Sequence, residues 1–327
     1  AANAETPGPT KDKLTARFSD TAKNLYKIYL VFTLVQVVLL CLGGMSVYDS
    51  FLHTFGSLGT GGFSNYNDSV GHFNVYIQIV ILVFMLLAGM NFNLFFILQR
   101  GGFRKFLHDD ELRFYLAVVG IASTAIFICN QVSSNFKNTA GSLLDSFFQV
   151  VSVLTTTGYM TDDYDLWPTF SRMILFCLFF FGGCSSSTSG GIKCVRVLVC
   201  LKLVRRSFSL RLHPNRIAPI TLNETEVPSE VIINITNFVF TYIAVVFTGM
   251  LLVSLDNMDF MSTFSAVATC VGNIGPGFNM VGPTCNFSVL SGFSTVVCSF
   301  LMLVGRLELI TVLALFSKYY WNSNKAK

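Results

Sequence analysis

The sequence predicts an all-α integral membrane fold in which one helical unit recurs along the chain, and three observations carry that expectation. Charged residues make up only 12% of the 327-residue chain and apolar residues 52%, and phenylalanine alone occurs 33 times, whereas soluble domains are roughly a quarter charged. Six apolar stretches reach or approach the ~20 residues that a helix needs to cross a ~30 Å hydrocarbon core. The polar connections on one side of these stretches follow a shared pattern three times over. Spanning strands are excluded, because the long runs lack the alternation of a barrel and hydrocarbon offers no partner to an open strand edge.

Taken in order, residues 1–21, opening AANAETPGPTKDK, read as a polar cytoplasmic connector without the pattern of a secretory signal. Residues 22–100 hold apolar runs from Leu25 to Gly44 and from Phe73 to Gln99. Residues 101–206 hold runs from Leu112 to Val132 and from Thr169 to Val204, the second interrupted in its middle. A cytoplasmic linker follows at 207–228, then residues 229–317 with runs from Val231 to Leu255 and from Phe287 to Phe316, and a cytoplasmic tail at 318–327.

Orientation follows from the basic residues, because Lys and Arg in short loops stay on the cytoplasmic side. One set of loops carries Lys11, Lys13, Arg17, Lys23, Lys27, Arg100, Arg104, Lys105, Arg113, Lys193, Arg196, Lys202, Arg205, Arg206, Arg211, Arg216, Lys318, Lys325 and Lys327, nineteen of the 22 basic residues. The opposite face carries Lys137 against Asp49, Asp68, Asp145, Asp162, Asp163, Asp165, Asp256 and Asp259. Both ends of the chain are therefore expected in the cytoplasm, and the outer face is acidic, its aspartates reading either as solvated loop ends or as a negative mouth that concentrates cations. The nine cysteines show no metal or disulfide spacing and read as small hydrophobes. His53 and His72 read as hydrogen-bonded structural residues, and Trp167, Tyr319, Tyr320 and Trp321 as interfacial anchors.

The three outer connections are YDSFLHTFGSLGTGGFS (Tyr48 to Ser64), LDSFFQVVSVLTTTGYM (Leu144 to Met160) and MSTFSAVATCVGNIGPGF (Met261 to Phe278). Each has a phenylalanine, Phe51, Phe147 or Phe264, placed so that Gly62, Gly158 and Gly275 align without a gap. Each starts as a short helix and ends in a tract that is not helical. Such a unit dips into the membrane as a half-helix and returns as extended chain, whose free carbonyls are tolerable only where they line a watery cavity or are buried in protein. Carbonyls in that position are cation ligands, and the negative end of the preceding helix dipole points the same way. The predicted filter tracts are Thr60, Gly61, Gly62 and Phe63; Thr156, Thr157, Gly158 and Tyr159; and Asn273, Ile274, Gly275 and Pro276, with potassium as the ion held at their backbone carbonyls. The units are then pore repeat A (22–100), pore repeat B (101–206) and pore repeat C (229–317), each a span, a pore helix, a filter loop and a second span around a central pore.

Two features beneath the filter read as gates. The fourth apolar stretch is broken by Gly182, Gly183, Cys184, Ser185, Ser186, Ser187, Thr188, Ser189, Gly190 and Gly191, a segment too poor in helix formers to face lipid and of the kind that marks an ion pathway. Arg306 lies well inside the last apolar stretch, where a charge must face water or a partner; Glu308, two residues on, does not share its helix face. A fixed positive charge there raises a barrier to cations. Lys193, just after the loop, reads as an assistant gate or as a snorkelling lysine.

Through TGGFS, TTTGY, FFFGGCSSSTSGGIKCVRVL, LHPN and VGRLE, the chain resembles over essentially its whole length the potassium transporters of the TrkH/KtrB superfamily, and within it the TrkH branch. The resemblance implies potassium uptake in a bacterial inner membrane through a pore of four repeats. A further repeat is thus expected upstream of the three visible here. It also implies a homodimer, a cytosolic ring of regulatory subunits that bind NAD or ATP, a loop at 182–191 that obstructs the cavity and moves on activation, and an intracavity arginine at 306. No Rossmann or Walker motif occurs, so no nucleotide is expected on this chain, and nothing suggests a nucleic-acid partner. Two other readings differ in kind. A proton- or sodium-coupled symporter needs an intramembrane relay, and Glu308 is the one carboxylate expected deep in a span. An intramembrane serine hydrolase built on STSGG needs a base beside the serine, and no histidine falls in the inner half.

Overall fold

The computed structural model describes residues 18–133, 139–215, 218–307, 309 and 312. Of the residues singled out above, Lys11, Lys13, Arg17, Lys137, Arg216, Glu308, Lys318, Tyr319, Tyr320, Trp321, Lys325 and Lys327 lie outside these, as do the connector up to 17 and the tail 318–327.

The structure is helical, and two of its helices overrun the expected boundaries at 22 and 206. Repeat A holds α1 (Phe18–Leu42), α2 (Val47–Leu58), α3 (Val75–Ala88) and α4 (Phe92–Gln99). Repeat B begins with a short α5 (Phe103–Leu107), followed by α6 (Asp110–Val132), α7 (Thr139–Leu154), α8 (Thr169–Leu178) and α9 (Cys194–Leu212). Repeat C holds α10 (Ser229–Val253), α11 (Phe260–Gly272) and α12 (Gly292–Arg306). The one departure from an all-α chain among the described residues, apart from a single bridge between Phe181 and Ile192, is a two-stranded hairpin in the linker, β1 (Thr221–Leu222) and β2 (Thr225–Glu226). Its turn residues Asn223 and Glu224 both take positive φ, as a tight hairpin turn demands.

Helix starts are written in short polar side chains that accept an otherwise orphaned backbone N–H. Ser46 caps α2 through Asp49, Asn74 caps α3 through Ile77, Asp109 caps α6 through Leu112, Asp259 caps α11 through Ser262 and Ser291 caps α12 through Ser294, at 2.8–3.2 Å. The first helix of each repeat, α1, α6 or α10, is continuous, apolar and long enough to span a bilayer. Leu34, Leu42, Phe240, Leu251 and Phe247 on α1 and α10 stand exposed, as lipid-facing side chains do.

The second stretches of repeats A and C differ from their expected form. Only the Thr169 to Val204 run is expected to break, yet α3 and α4 meet at a 91° bend and α12 stops at Arg306. The bend falls on Gly89, Met90 and Asn91: Gly89 closes α3, and the Asn91 carboxamide caps α4 by accepting the Asn93 N–H at 2.9 Å. Each break packs on the end of a pore helix. A methyl group on Gly89 would lie 2.7 Å from the Thr155 methyl, on Gly190 2.6 Å from the Gly272 carbonyl oxygen, and on Gly305 2.0 Å from that of Val271.

Trp167 is no interfacial anchor. It is buried, 3% exposed, with its indole N–H donating to Asp162 at 2.8 Å and its ring beside Tyr164.

Candidate functional site

The pore helices α2, α7 and α11 end at Leu58, Leu154 and Gly272, and the three tracts that follow share one backbone pattern. Thr60 and Gly62, Thr156 and Gly158, and Asn273 and Gly275 all take positive φ, while the residue between each pair, Gly61, Thr157 or Ile274, does not. In an ordinary strand successive carbonyls point to opposite sides. Alternating handedness works against that half-turn and is the torsion pattern by which successive carbonyls can be brought to one side. Asparagine tolerates the left-handed region well and threonine does not, so the threonines at 60 and 156 are held there by their surroundings.

The tracts are built against one another. Gly62 sits over the Thr157 carbonyl and Gly158 over the Ile274 carbonyl, with no room for a side chain between them. The Tyr159 hydroxyl donates to the Phe63 carbonyl at 3.0 Å, tying tract B to tract A. The Tyr164 hydroxyl donates to the Gly277 carbonyl at 2.9 Å, tying loop B to loop C. Pro276 packs by its ring within reach of Gly158. Phe63 itself is 76% exposed.

The outer rim is polar and ordered. Asp49 accepts hydrogen bonds from the Ser46 hydroxyl (2.8 Å), the Asn65 amide (2.8 Å) and the Tyr66 hydroxyl (3.2 Å), which hold its carboxyl below the usual range, Ser46 contributing most. His53 is buried, bonded to the Asp49 carbonyl at 2.9 Å and to Ser64 at 3.2 Å, and stacked on Tyr159. Asp165 accepts the Asn279 N–H at 2.9 Å, and partial burial pushes its pKa up to about 6.

Beneath the tracts lies the loop 182–191, clamped at its base where the Gly182 N–H donates to Ile192 at 2.7 Å and the Cys194 N–H to Gly183 at 3.0 Å. Ser186 and Gly191 take positive φ, which folds the segment back on itself. The loop touches all three tracts: the Thr60 hydroxyl donates to the Thr188 carbonyl at 2.9 Å, the Gly190 N–H donates to the Thr156 hydroxyl at 2.6 Å, and Gly190 lies against Gly272 and Asn273. The α3–α4 bend holds it from the side, through Cys184 N–H to Gly89 at 2.8 Å and Phe92 N–H to Ser186 at 3.3 Å.

Lys193 is 8% exposed and no snorkeller; its Nζ donates to the Ser189 carbonyl at 2.5 Å and the Ser187 carbonyl at 3.4 Å. Its Nζ also lies 3.3 Å from the Ser189 hydroxyl, which in turn accepts the Gly183 N–H at 2.9 Å. A lysine committed to carbonyl oxygens is a buried cation within the loop, not the base that a serine nucleophile needs. Arg306 closes α12, where the negative helix end favours a cation. Its side chain is exposed and has no bonded partner among the described residues.

One residue of the site is missed by sequence reasoning. Glu111, 6% exposed, accepts hydrogen bonds from the loop, which makes it a buried carboxylate at the site. Its signal is hidden in the run HDDELR, which reads as an acidic helix start.

Three long apolar helices, with three short helices whose carboxyl-end tracts meet one loop, define a helical membrane protein. The chain matches the model of the TrkH family, described as a cation transport protein, over residues 2–325, and it belongs to that family. It is 34% identical over 324 residues to the Trk system potassium uptake protein TrkH of Salmonella typhimurium, covering 97% of this chain and 66% of that protein. It is also 34% identical over 326 residues to TrkG of Escherichia coli, covering 98% and 66%. The crystal structure of the potassium transporter TrkH from Vibrio parahaemolyticus superimposes with a TM-score of 0.87 at 31% identity, over 95% of this chain and 67% of that one. The chain spans just under two thirds of the length of these curated relatives.

Proposed function

We propose that this chain is the ion-conducting part of a potassium-uptake protein, in which potassium passes down its electrochemical gradient along the carbonyls of residues 60–63, 156–159 and 273–276. The observation that carries the reading is the recurrence of paired left-handed residues at equivalent places after three pore helices, with one loop hydrogen-bonded beneath them. The names of the relatives, potassium uptake proteins, agree with it.

In this reading Gly182 to Gly191, with Lys193 and Arg306, restrict access from below, and repeats A, B and C keep the boundaries 22–100, 101–206 and 229–317. The protein resides in a bacterial inner membrane with both ends of this segment cytoplasmic, as a homodimer on a cytosolic ring that carries the regulatory nucleotide. Uncoupled conduction is preferred to symport, because Glu111, the buried carboxylate beside the loop, is engaged by three protein donors.

Uptake of radioactive rubidium into liposomes holding the purified full protein tests the reading, with excess potassium or sodium as competitor. Suppression by potassium but not sodium is expected. Equal competition would remove the potassium assignment, and a proton or sodium flux rising in step with rubidium would replace conduction by coupling.

A further inference from the structure

A single carboxylate ties both ends of the loop 182–191 to the rest of the fold. Oε1 of Glu111 accepts the Ser185 N–H at 2.6 Å and the Val195 N–H at 3.1 Å, and Oε2 accepts the Ser185 hydroxyl at 2.5 Å. Ser185 lies in the first half of the loop. Val195 lies beyond its end, in the first turn of α9. One side chain therefore draws the two ends of the loop together and fastens them to α6. Three donors satisfy a carboxylate that burial would otherwise penalise heavily. They also leave it unable to let go of one end without exposing an unpaired charge.

The neighbours of Glu111 face the other way. Asp109 accepts the Asn223 side-chain amide at 2.7 Å, and the Asp110 N–H donates to the Asn223 carboxamide oxygen at 2.8 Å. Asp110 also pairs with Lys202 on α9 at 2.7 Å, and Lys202 donates to the Thr221 carbonyl at 2.8 Å. Three successive acidic residues at one helix start thus bind the linker hairpin on the outside and the loop on the inside. The hairpin is seated by Ile220, Leu222 and Val227, which pack on Val195 and Val199 of α9 and Ile235 of α10. Asn223, at its turn, is the exposed end of the chain of bonds that leads to the loop.

We propose that Glu111 is the positioning residue that latches the gate loop in its obstructing place, and that the hairpin, through Asn223, sets the helix end that carries the latch. The inference rests on the reading of residues 182–191 as the gate. Any cytoplasmic event that moves the hairpin then loosens the loop without touching the filter.

Glu111→Gln separates the latch from mere packing, because it keeps the shape and an acceptor for the two backbone N–H groups but removes the charge and puts an N–H₂ where the Ser185 hydroxyl donates. The full protein and its Glu111→Gln, Ser185→Ala and Asn223→Ala variants are compared by hydrogen–deuterium exchange of residues 182–195 and by rubidium uptake in liposomes. Loop exchange should rise at least about tenfold in Glu111→Gln, the effect of losing charge-assisted bonds, and about threefold in the other two. Uptake should rise in the same order with the preference for potassium over sodium unchanged, a gain that a folding defect does not produce. Unchanged loop exchange in Glu111→Gln overturns the latch. So does exchange raised equally along every helix in all three variants. Raised loop exchange with unaltered uptake leaves the tie in place and overturns the reading of the loop as the gate.

Discussion

The carbonyl oxygen of Thr157 fills the space where a side chain on Gly62 would begin: a methyl group built there would lie 1.8 Å away. Gly158 stands in the same relation to the Ile274 carbonyl, at 2.0 Å. Tract A therefore abuts tract B and tract B abuts tract C, with Gly62 and Gly158 each seated on the next tract's backbone. Gly62→Ala and Gly158→Ser must each push a carbonyl aside and also adopt a left-handed φ, a combined cost of roughly 2–5 kcal/mol. Rubidium competition should show potassium preference falling at least about tenfold in both variants. Wild-type preference in either would mean that the interlock does not shape the path.

Tyr159 offers a gentler test of the same interlock. Tyr159→Phe keeps the buried ring and removes the hydroxyl with its bond to the Phe63 carbonyl at 3.0 Å and its longer one to the His53 carbonyl at 3.4 Å, at about 0.5–1.5 kcal/mol each. Thermal unfolding in detergent should shift by a few degrees at most, while sodium should compete better with rubidium. A variant that competes like wild type would make the hydroxyl irrelevant to carbonyl placement.

The loop's two threonine contacts predict a change of the opposite sign. Thr156→Val removes the acceptor of the Gly190 N–H and leaves the main chain of the tract in place. Losing one such bond weakens the obstructing position by about 1 kcal/mol, so uptake should rise several-fold with little change in selectivity. Reduced uptake at full folding would show that the hydroxyl serves the ion instead of the loop.

Arg306 and Lys193 present fixed charges below the tracts, and replacing either with a neutral residue should increase flux. The two differ in what else is lost. Arg306→Ala removes an exposed charge at a helix end, so its gain should shrink as ionic strength rises. Lys193→Met also frees the carbonyls of Ser187 and Ser189, and its gain should persist in high salt. Initial uptake rates at two salt concentrations distinguish them.

Asp165 predicts a pH effect at the outer face. Its carboxyl is raised to about 6 in the fold, chiefly by burial, against about 3.8 in the unfolded chain. The folded state thus holds a proton that the unfolded chain has already released, and this contribution to stability is full below about pH 4. It is lost as pH rises through about 6. Asp165→Asn keeps an acceptor for the Asn279 N–H and should flatten the fall in melting temperature between pH 4 and 6. Parallel melting curves for the two proteins would assign the titration elsewhere.

The repeat was legible because its determinants are local: a fixed run of helix-forming residues followed by glycines at a constant distance from Phe51, Phe147 and Phe264. The break at Ser185 to Ser189 was legible for the same reason, since so polar a stretch cannot face lipid. The bend at Gly89 was not. Both halves of that stretch are uniformly apolar, and only the docking of Cys184 on the Gly89 carbonyl gives the turn a partner. Glu111 stayed hidden because a helix start favours acidic residues anyway, and which of three consecutive ones turns inward depends on α9 and the loop, distant in sequence. Trp167 misled in the other direction: an indole near a membrane boundary fits an anchor, and only Asp162 beside it shows the N–H satisfied indoors.

The alternation of backbone handedness in the three tracts has an electrical consequence. In a sheet strand the peptide dipoles nearly cancel from one residue to the next. With the carbonyls of each tract turned to the path, as proposed, the dipoles add sideways, and each tract carries a transverse moment with its negative edge toward that path. That field belongs to the main chain and not to any ionisable group. No change of pH within the range in which the protein folds can discharge it, and no side-chain substitution can reverse its sign. What mutation can alter is the radius at which the negative edges meet, so ion preference in this scaffold is tuned through spacing while the attraction itself stays constant.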